Sequence, residues 1–189
     1  MNKFKYFFQF IIIISFFFIF KLLGLKYSGY LSGYILRIFG PLLRSNKICY
    51  QNVDRVFPKI DEKYKKKLIN KMWFNYGRIL SEYIFLKDFR IQKKFQKKIT
   101  IINQYVLDEI KLNKRPVIFI SGHFNNFELM AMQIEKSGID LASIYRPLNN
   151  IFLNPVMEKI RKKYICKYQI KKGISGTKLL LKYFKKNFS

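Results

Sequence analysis

Arg115-Pro116-Val117-Ile118-Phe119-Ile120-Ser121-Gly122-His123-Phe124-Asn125-Asn126-Phe127-Glu128 contains the strongest strand signal of the chain and its single histidine. Residues 115–121 read as a strand buried on both faces, because apolar side chains fall on consecutive rather than alternate positions. A helix of about residues 125–136 follows, Gly138 ends it, and residues 139–145 form a second strand. Strand, helix and strand within so short a length imply a right-handed parallel crossover. The expected class is α/β: a central, largely parallel β-sheet flanked by helices.

Downstream, Asn154 or Pro155 opens a helix to about Tyr164. Residues 166–170 suit a third strand and residues 175–186 a last helix. Upstream, residues 105–113 read as a short helix. Leu68, Met72, Tyr76, Leu80 and Tyr83 step by three or four, which predicts a long amphipathic helix with Asp61 as its N-cap. Its other face carries Lys63, Lys65, Lys66, Lys67 and Lys71. Such a run is more often a solvated face than a contact for lipid head groups, and residues 93–98 are read the same way. A loop is expected between Gly40-Pro41 and Phe57-Pro58.

The N-terminus is different in kind. Residues 6–20, YFFQFIIIISFFFIF, carry no charge, with Lys3 and Lys5 before them and Lys21 and Lys26 after. The run is shorter than the ~20 residues of a straight span, and snorkelling lysines together with Leu22, Leu23 and Leu25 extend it. No small-x-small cleavage site follows, so residues 1–26 are expected to be an uncleaved membrane anchor and residues 27–189 an α/β domain. Tyr30, Leu31, Tyr34, Ile35, Ile38 and Phe39 recur at helical spacing, punctuated by Arg37 and Arg44. That pattern suits a helix lying in a membrane interface or packed on the domain. Basic residues flank the anchor on both sides and give no orientation.

The formal charge of +26 permits anionic partners but names none. Lysine outnumbers arginine 29 to 8, and Ala131 and Ala142 are the only alanines, as in a chain drawn from A+T-rich codons. Nucleic acid is not an expected partner, since no zinc, helix-turn-helix or RNA-binding signature is present. Cys49 and Cys166 have no metal spacing, and a chain with one histidine is poorly furnished for a zinc site. No metal and no cofactor are expected.

Chemistry is therefore sought at the carboxyl end of the first strand, the edge where open α/β sheets bind ligands. Gly122 lets the backbone bend sharply. A carboxylate at Glu128 can accept from one nitrogen of His123 and fix the tautomer, leaving the other as a base near neutral pH. Such a base can activate a hydroxyl for direct attack on an acyl thioester. Each residue also has a plainer reading: Asn125-x-x-Glu128 fits a capping box, and His123 can simply fill a loop.

Gly122-His123, four residues and then Glu128 resembles the His-x4-Asp/Glu motif of the glycerolipid acyltransferase superfamily. His123-Phe124-x-Asn126-Phe127-Glu128 is most similar to the lipid A late acyltransferases, lauroyl- and myristoyl-transferring enzymes. Asn125 stands where that family usually has glycine, and Phe127 where tryptophan is common. Tyr145-Arg146-Pro147, Asn52-Val53, Phe57-Pro58 and Phe74-Asn75-x-Gly77 with Glu82 resemble its other blocks. The resemblance implies His123 as general base, Glu128 as its orienting partner, and Arg146 on an anionic substrate group, for which a structural ion pair is the even alternative. Gly122 and Asn126 are also expected at the substrate site, although Asn126 is read first as a helix cap. It implies acyl carrier protein as donor and a lipid A precursor as acceptor. The expected location is the bacterial inner membrane, with the catalytic domain on its cytoplasmic side. Members of that family continue beyond the position of Ser189, so the C-terminal part of the domain is expected to be missing. Acylation of another glycolipid, a truncated inactive relative, and a non-enzymatic membrane-surface protein are the alternatives.

Overall fold

The computed structural model describes residues 2–43 and 45–189, so the expectation for Arg44 lies outside the described residues. Contacts divide the chain into two compact units, one of residues 15–85 and one of residues 2–14 with 86–189.

The first of these is helical. The long helix α1 (Asn2–Leu43) contributes its residues from Ser15 onward, followed by α2 (Lys47–Val56), α3 (Glu62–Glu82) and a 3-10 turn at Tyr83–Phe85. α2 falls where a loop was expected. α1 is broken at Gly24, whose φ of 73° and ψ of 169° lie in a region essentially reserved for glycine. Asp61 caps α3 as expected, its Oδ1 accepting from the Tyr64 amide at 2.8 Å. α1 and α3 approach closely because the residues between them are small. Ser28, Ser32 and Ser81 are buried, and a Cβ on Gly77 would lie inside contact distance of the Ser32 carbonyl oxygen. The Trp73 indole donates to Asn46 Oδ1 at 2.8 Å, tying α3 to the start of α2.

The second unit carries α4 (Leu86–Ile91), α5 (Lys93–Gln96), α6 (Gln104–Asn113), α7 (Glu128–Lys136), β1 (Ala142–Tyr145), α8 (Leu153–Tyr164), β2 (Tyr168–Lys171) and α9 (Ile174–Phe184). β1 and β2 are parallel, in register from Ala142 opposite Tyr168 to Tyr145 opposite Lys171, with α8 as their crossover. Leu86, Met132, Ile165, Cys166 and Ile170 form the driest part of the core. Arg90 fastens three helices together. Its guanidinium donates to Glu135 at 2.6 Å and to the carbonyls of Tyr164 and Ile165 at 3.2 and 3.3 Å. Asn150 ties the N-terminal residues to this unit by donating to the Tyr6 carbonyl at 2.8 Å.

The class is α/β with an N-terminal apolar helix, but the structure is mostly helical and the sheet has two strands. Residues 115–121 are not one of them. They run without regular structure, and Ile118 and Ile120 are 74% and 92% exposed, which overturns the expectation of burial on both faces. A strand needs a hydrogen-bonded neighbour, and here the Val117 amide instead donates to a side chain, Ser189 Oγ, at 3.1 Å. Ser189 in turn donates to the Asp140 carbonyl (2.8 Å) and accepts from the Ala142 amide (2.7 Å). Those two bonds form a parallel bridge opposite Leu141, on the edge of β1 away from β2.

Candidate active site

α7 begins at Glu128, three residues later than expected, and its N-cap is Phe127, which has no capping side chain, rather than the anticipated Asn125. Asn125 explains the late start. Its φ of 48° is left-handed, a conformation asparagine tolerates better than most residues, so the chain turns there before the helix can begin. The Phe127 amide closes this turn on the Asn125 carbonyl at 3.1 Å. At the far end, Gly138 terminates α7 with a φ of 86°, its amide donating to the Glu135 carbonyl at 3.0 Å.

The turn separates the two expected partners by environment. His123 is exposed, its ring packed edge-on against Phe127 with centroids 4.4 Å apart. Glu128 is buried and bound by Arg161 of α8, whose Nε and Nη2 lie 2.9 and 2.8 Å from Oε1. The imidazole thus packs on Phe127, and the carboxylate binds Arg161. Burial pushes the Glu128 carboxyl above its ordinary range, and the Arg161 charge and hydrogen bond pull it back. Arg161 also lies over the ring of buried Tyr145, 5.5 Å from its centroid. Arg161 escaped the sequence reading. It sits in a lysine-rich stretch of α8 that looks like any solvated helix, and the one hint was that a buried glutamate demands a cation.

Asn126 is buried beneath the same turn. Gly122 lies against the Phe124 ring, closely enough that a Cβ would collide with it. Arg146 is exposed just beyond β1, and among the described residues no carboxylate pairs with it. The loop after it is held by Asn154, whose Oδ1 accepts from the Leu148 amide at 2.8 Å. A largely apolar cavity of about 450 Å³ opens between residues 117–121, α7, β1 and α9, and Ser121 on its wall precedes His123 by two residues. Among the described residues no three His, Cys, Asp or Glu side chains gather as metal ligands would.

A family model described as bacterial lipid A biosynthesis acyltransferase matches residues 1–188. The chain belongs to that family. It is similar to a protein of Shigella flexneri named lipid A biosynthesis acyltransferase 2, with 24% identity over 115 residues, 60% of this chain and 36% of that one. The match therefore spans about a third of the length of this curated relative. No solved structure matches the chain.

Proposed function

We propose that this chain transfers a fatty acyl group from the thioester of acyl carrier protein to a hydroxyl of a lipid A precursor at the bacterial inner membrane. Residues 1–26 act as the anchor and residues 27–189 carry the transferase, on the cytoplasmic side. Membership of a lipid A acyltransferase family, over nearly the full length, is the observation that carries the reading. α1 is long and apolar enough to cross a membrane, which supports the anchor.

His123 is exposed, so a substrate hydroxyl can approach it. It takes the hydroxyl proton as the oxygen attacks the thioester carbonyl. The tetrahedral intermediate collapses with cleavage of the C–S bond, and the imidazolium returns its proton to the departing thiolate. Glu128 orients the imidazole. A carboxylate has two oxygens, so it can hold Arg161 and an imidazole N–H at once. Burial raises the Glu128 carboxyl above its ordinary range, and the Arg161 guanidinium opposes that rise and favours the carboxylate. Apo hydrogen bonds of this kind often tighten only when substrate binds. Arg146, with Asn126 and Gly122 nearby in sequence to the base, binds the anionic acceptor. The apolar cavity beside Ser121 has the size of a small-ligand pocket and suits the acyl chain.

The test is acyl transfer by detergent-solubilised protein, with labelled acyl carrier protein and a lipid A precursor, wild type beside His123→Ala. Removal of the base is expected to lower the rate by roughly 10²–10⁴-fold. Turnover indifferent to His123 would remove it from the mechanism. Turnover with a different lipid acceptor alone would move the reading to the acylation of another glycolipid.

A further inference from the structure

The lysine face of α3 is exposed, and it borders a concavity. Within residues 15–85 it forms one wall of a cavity of about 620 Å³ whose other wall is the second half of α1. Arg37, Lys63, Lys66, Lys67, Lys71 and Arg78 line it, so six of its ten lining residues are basic, against 37 of 189 in the whole chain. No aspartate or glutamate is among the other four, which are Tyr34, Asn70, Phe74 and Asn75. Arg78 reaches Glu82 at 4.0 Å, whereas no carboxylate pairs with Arg37, Lys63, Lys66, Lys67 or Lys71 among the described residues. Lys65, between them, turns away to Asp54 and Glu62 and does not line the cavity.

We propose that this cavity binds the phosphate-bearing head group of an anionic lipid. Lys63, Lys67 and Lys71 follow one another at i, i+4 and i+8, where like charges repel, so an anion between them relieves repulsion that the free protein bears. Lysine and arginine donors on two walls can surround a phosphate, and Asn70, Asn75 and Tyr34 offer neutral donors for its remaining oxygens or for sugar hydroxyls. The floor is aromatic. Phe74 lies 5.2 Å from Tyr34 in an edge-on pair, and its ring fills the space that a side chain on Gly33 would need.

A lipid suits this site better than an acidic protein for two reasons. It is a concavity, which accepts a head group more readily than a helix of a folded partner. Beyond Tyr34 and Arg37, which line the cavity, α1 also exposes Tyr30, Leu31, Ile38 and Phe39, apolar side chains on the helix long enough to cross a bilayer, so acyl chains have a surface to lie against. The site is built from residues 15–85 alone and does not depend on the catalytic reading of His123.

Calorimetric titration of the full chain in neutral detergent tests this, using short-chain phosphatidic acid, short-chain phosphatidylcholine, a phosphorylated disaccharide lipid, inorganic phosphate and acidic acyl carrier protein. Phosphatidic acid is expected to bind, and the triple variant Arg37→Gln, Lys67→Gln, Lys71→Gln to bind it about tenfold more weakly or worse, the loss expected when charged hydrogen bonds are removed. Because the variant removes repulsion, it should retain its fold, which the fluorescence of Trp73, the sole tryptophan, reports in the same unit. Tighter binding of the disaccharide lipid than of phosphatidic acid, lost in the variant, assigns the site to a glycolipid, and the reverse order assigns it to bulk phospholipid. Unchanged binding in a folded variant overturns the proposal, as does equal binding of phosphatidylcholine. Inorganic phosphate binding as tightly as the lipids, or loss of carrier-protein binding alone, overturns its lipid part. Repeating the titration on His123→Ala keeps failure of this site distinct from failure of the catalytic one.

Discussion

Residues 15–85 and residues 115–127 solve the same problem in opposite ways. In the former, three helices satisfy their own backbone, and small residues at Ser28, Ser32, Gly77 and Ser81 let two of them touch. In the latter, the backbone forms neither helix nor strand, exposes Ile118, Ile120 and Phe124, and leans on Ser189 for a partner. The difference shows where order comes from. A helix carries its hydrogen bonds within itself, whereas an extended segment depends on whatever lies beside it. The candidate base sits on the dependent segment, and its expected partner, Glu128, opens the self-sufficient helix that follows.

The sharpest test of that arrangement is Arg161, which holds Glu128 in place. Arg161→Met leaves a buried carboxylate uncompensated and should cost about 3–5 kcal/mol at neutral pH. The loss should depend on pH. Glu128 already has a folded pKa above the unfolded value of 4.5, and removal of the cation raises it further. The penalty is complete above that raised folded pKa and shrinks as pH falls through it, because the folded state then binds the proton more readily than the unfolded state. Urea denaturation followed by hydrogen exchange in α7 and α8, at neutral and mildly acidic pH, reads the effect. A loss that is equal at both pH values would mean that Arg161 acts by packing on Tyr145 and not through Glu128.

Within residues 15–85 the expected costs are smaller and purely steric or local. Gly77→Val forces α1 and α3 apart at the Ser32 carbonyl and should cost about 1–3 kcal/mol. Asp61→Ala removes the cap on Tyr64 and should cost about 1 kcal/mol. Trp73 fluorescence follows both unfolding transitions. A neutral Gly77→Val would show that the two helices are less tightly engaged than their small residues imply.

The same contrast governs what could be read from the sequence. Asp61 as the cap of α3, that helix itself, α6, α8 and the helical N-terminus all depend on neighbours within a turn or two, and all were legible, although α3 buries Ile69, Gly77 and Ser81 and leaves Tyr76 of the expected stripe exposed. β1 and β2 were legible as strands from their own residues, although β1 starts three residues later than expected and β2 starts two residues later and ends one residue later. Three features were not. α2 is short, polar on average and buries no residue, so the stretch between Asn46 and Val56 looks like a loop despite its two-faced pattern. The burial of residues 115–121 was inferred from side-chain type, but side-chain type cannot supply the neighbouring strand. The Glu128–Arg161 pair joins residues 33 apart through α8, and no local spacing encodes it. The site's composition could be read, but its electrostatics depended on the fold.

Ile120 separates the two accounts most cleanly, because they predict different sizes for one substitution. If residues 115–121 were a strand buried on both faces, Ile120→Ala would excavate the core and cost about 2–5 kcal/mol. In the structure Ile120 is 92% exposed, and the same change should fall within about 0.5 kcal/mol of zero. Met132→Ala, at a fully buried position of α7, provides the scale for a true core deletion in the same unit. Denaturation curves for the two variants, read by hydrogen exchange in α7, should differ widely, with Met132→Ala shifted and Ile120→Ala nearly coincident with wild type. If Ile120→Ala shifts as far as Met132→Ala, the segment beneath His123 has found a neighbour in solution, and the base then stands on a true sheet edge, as the sequence alone implied.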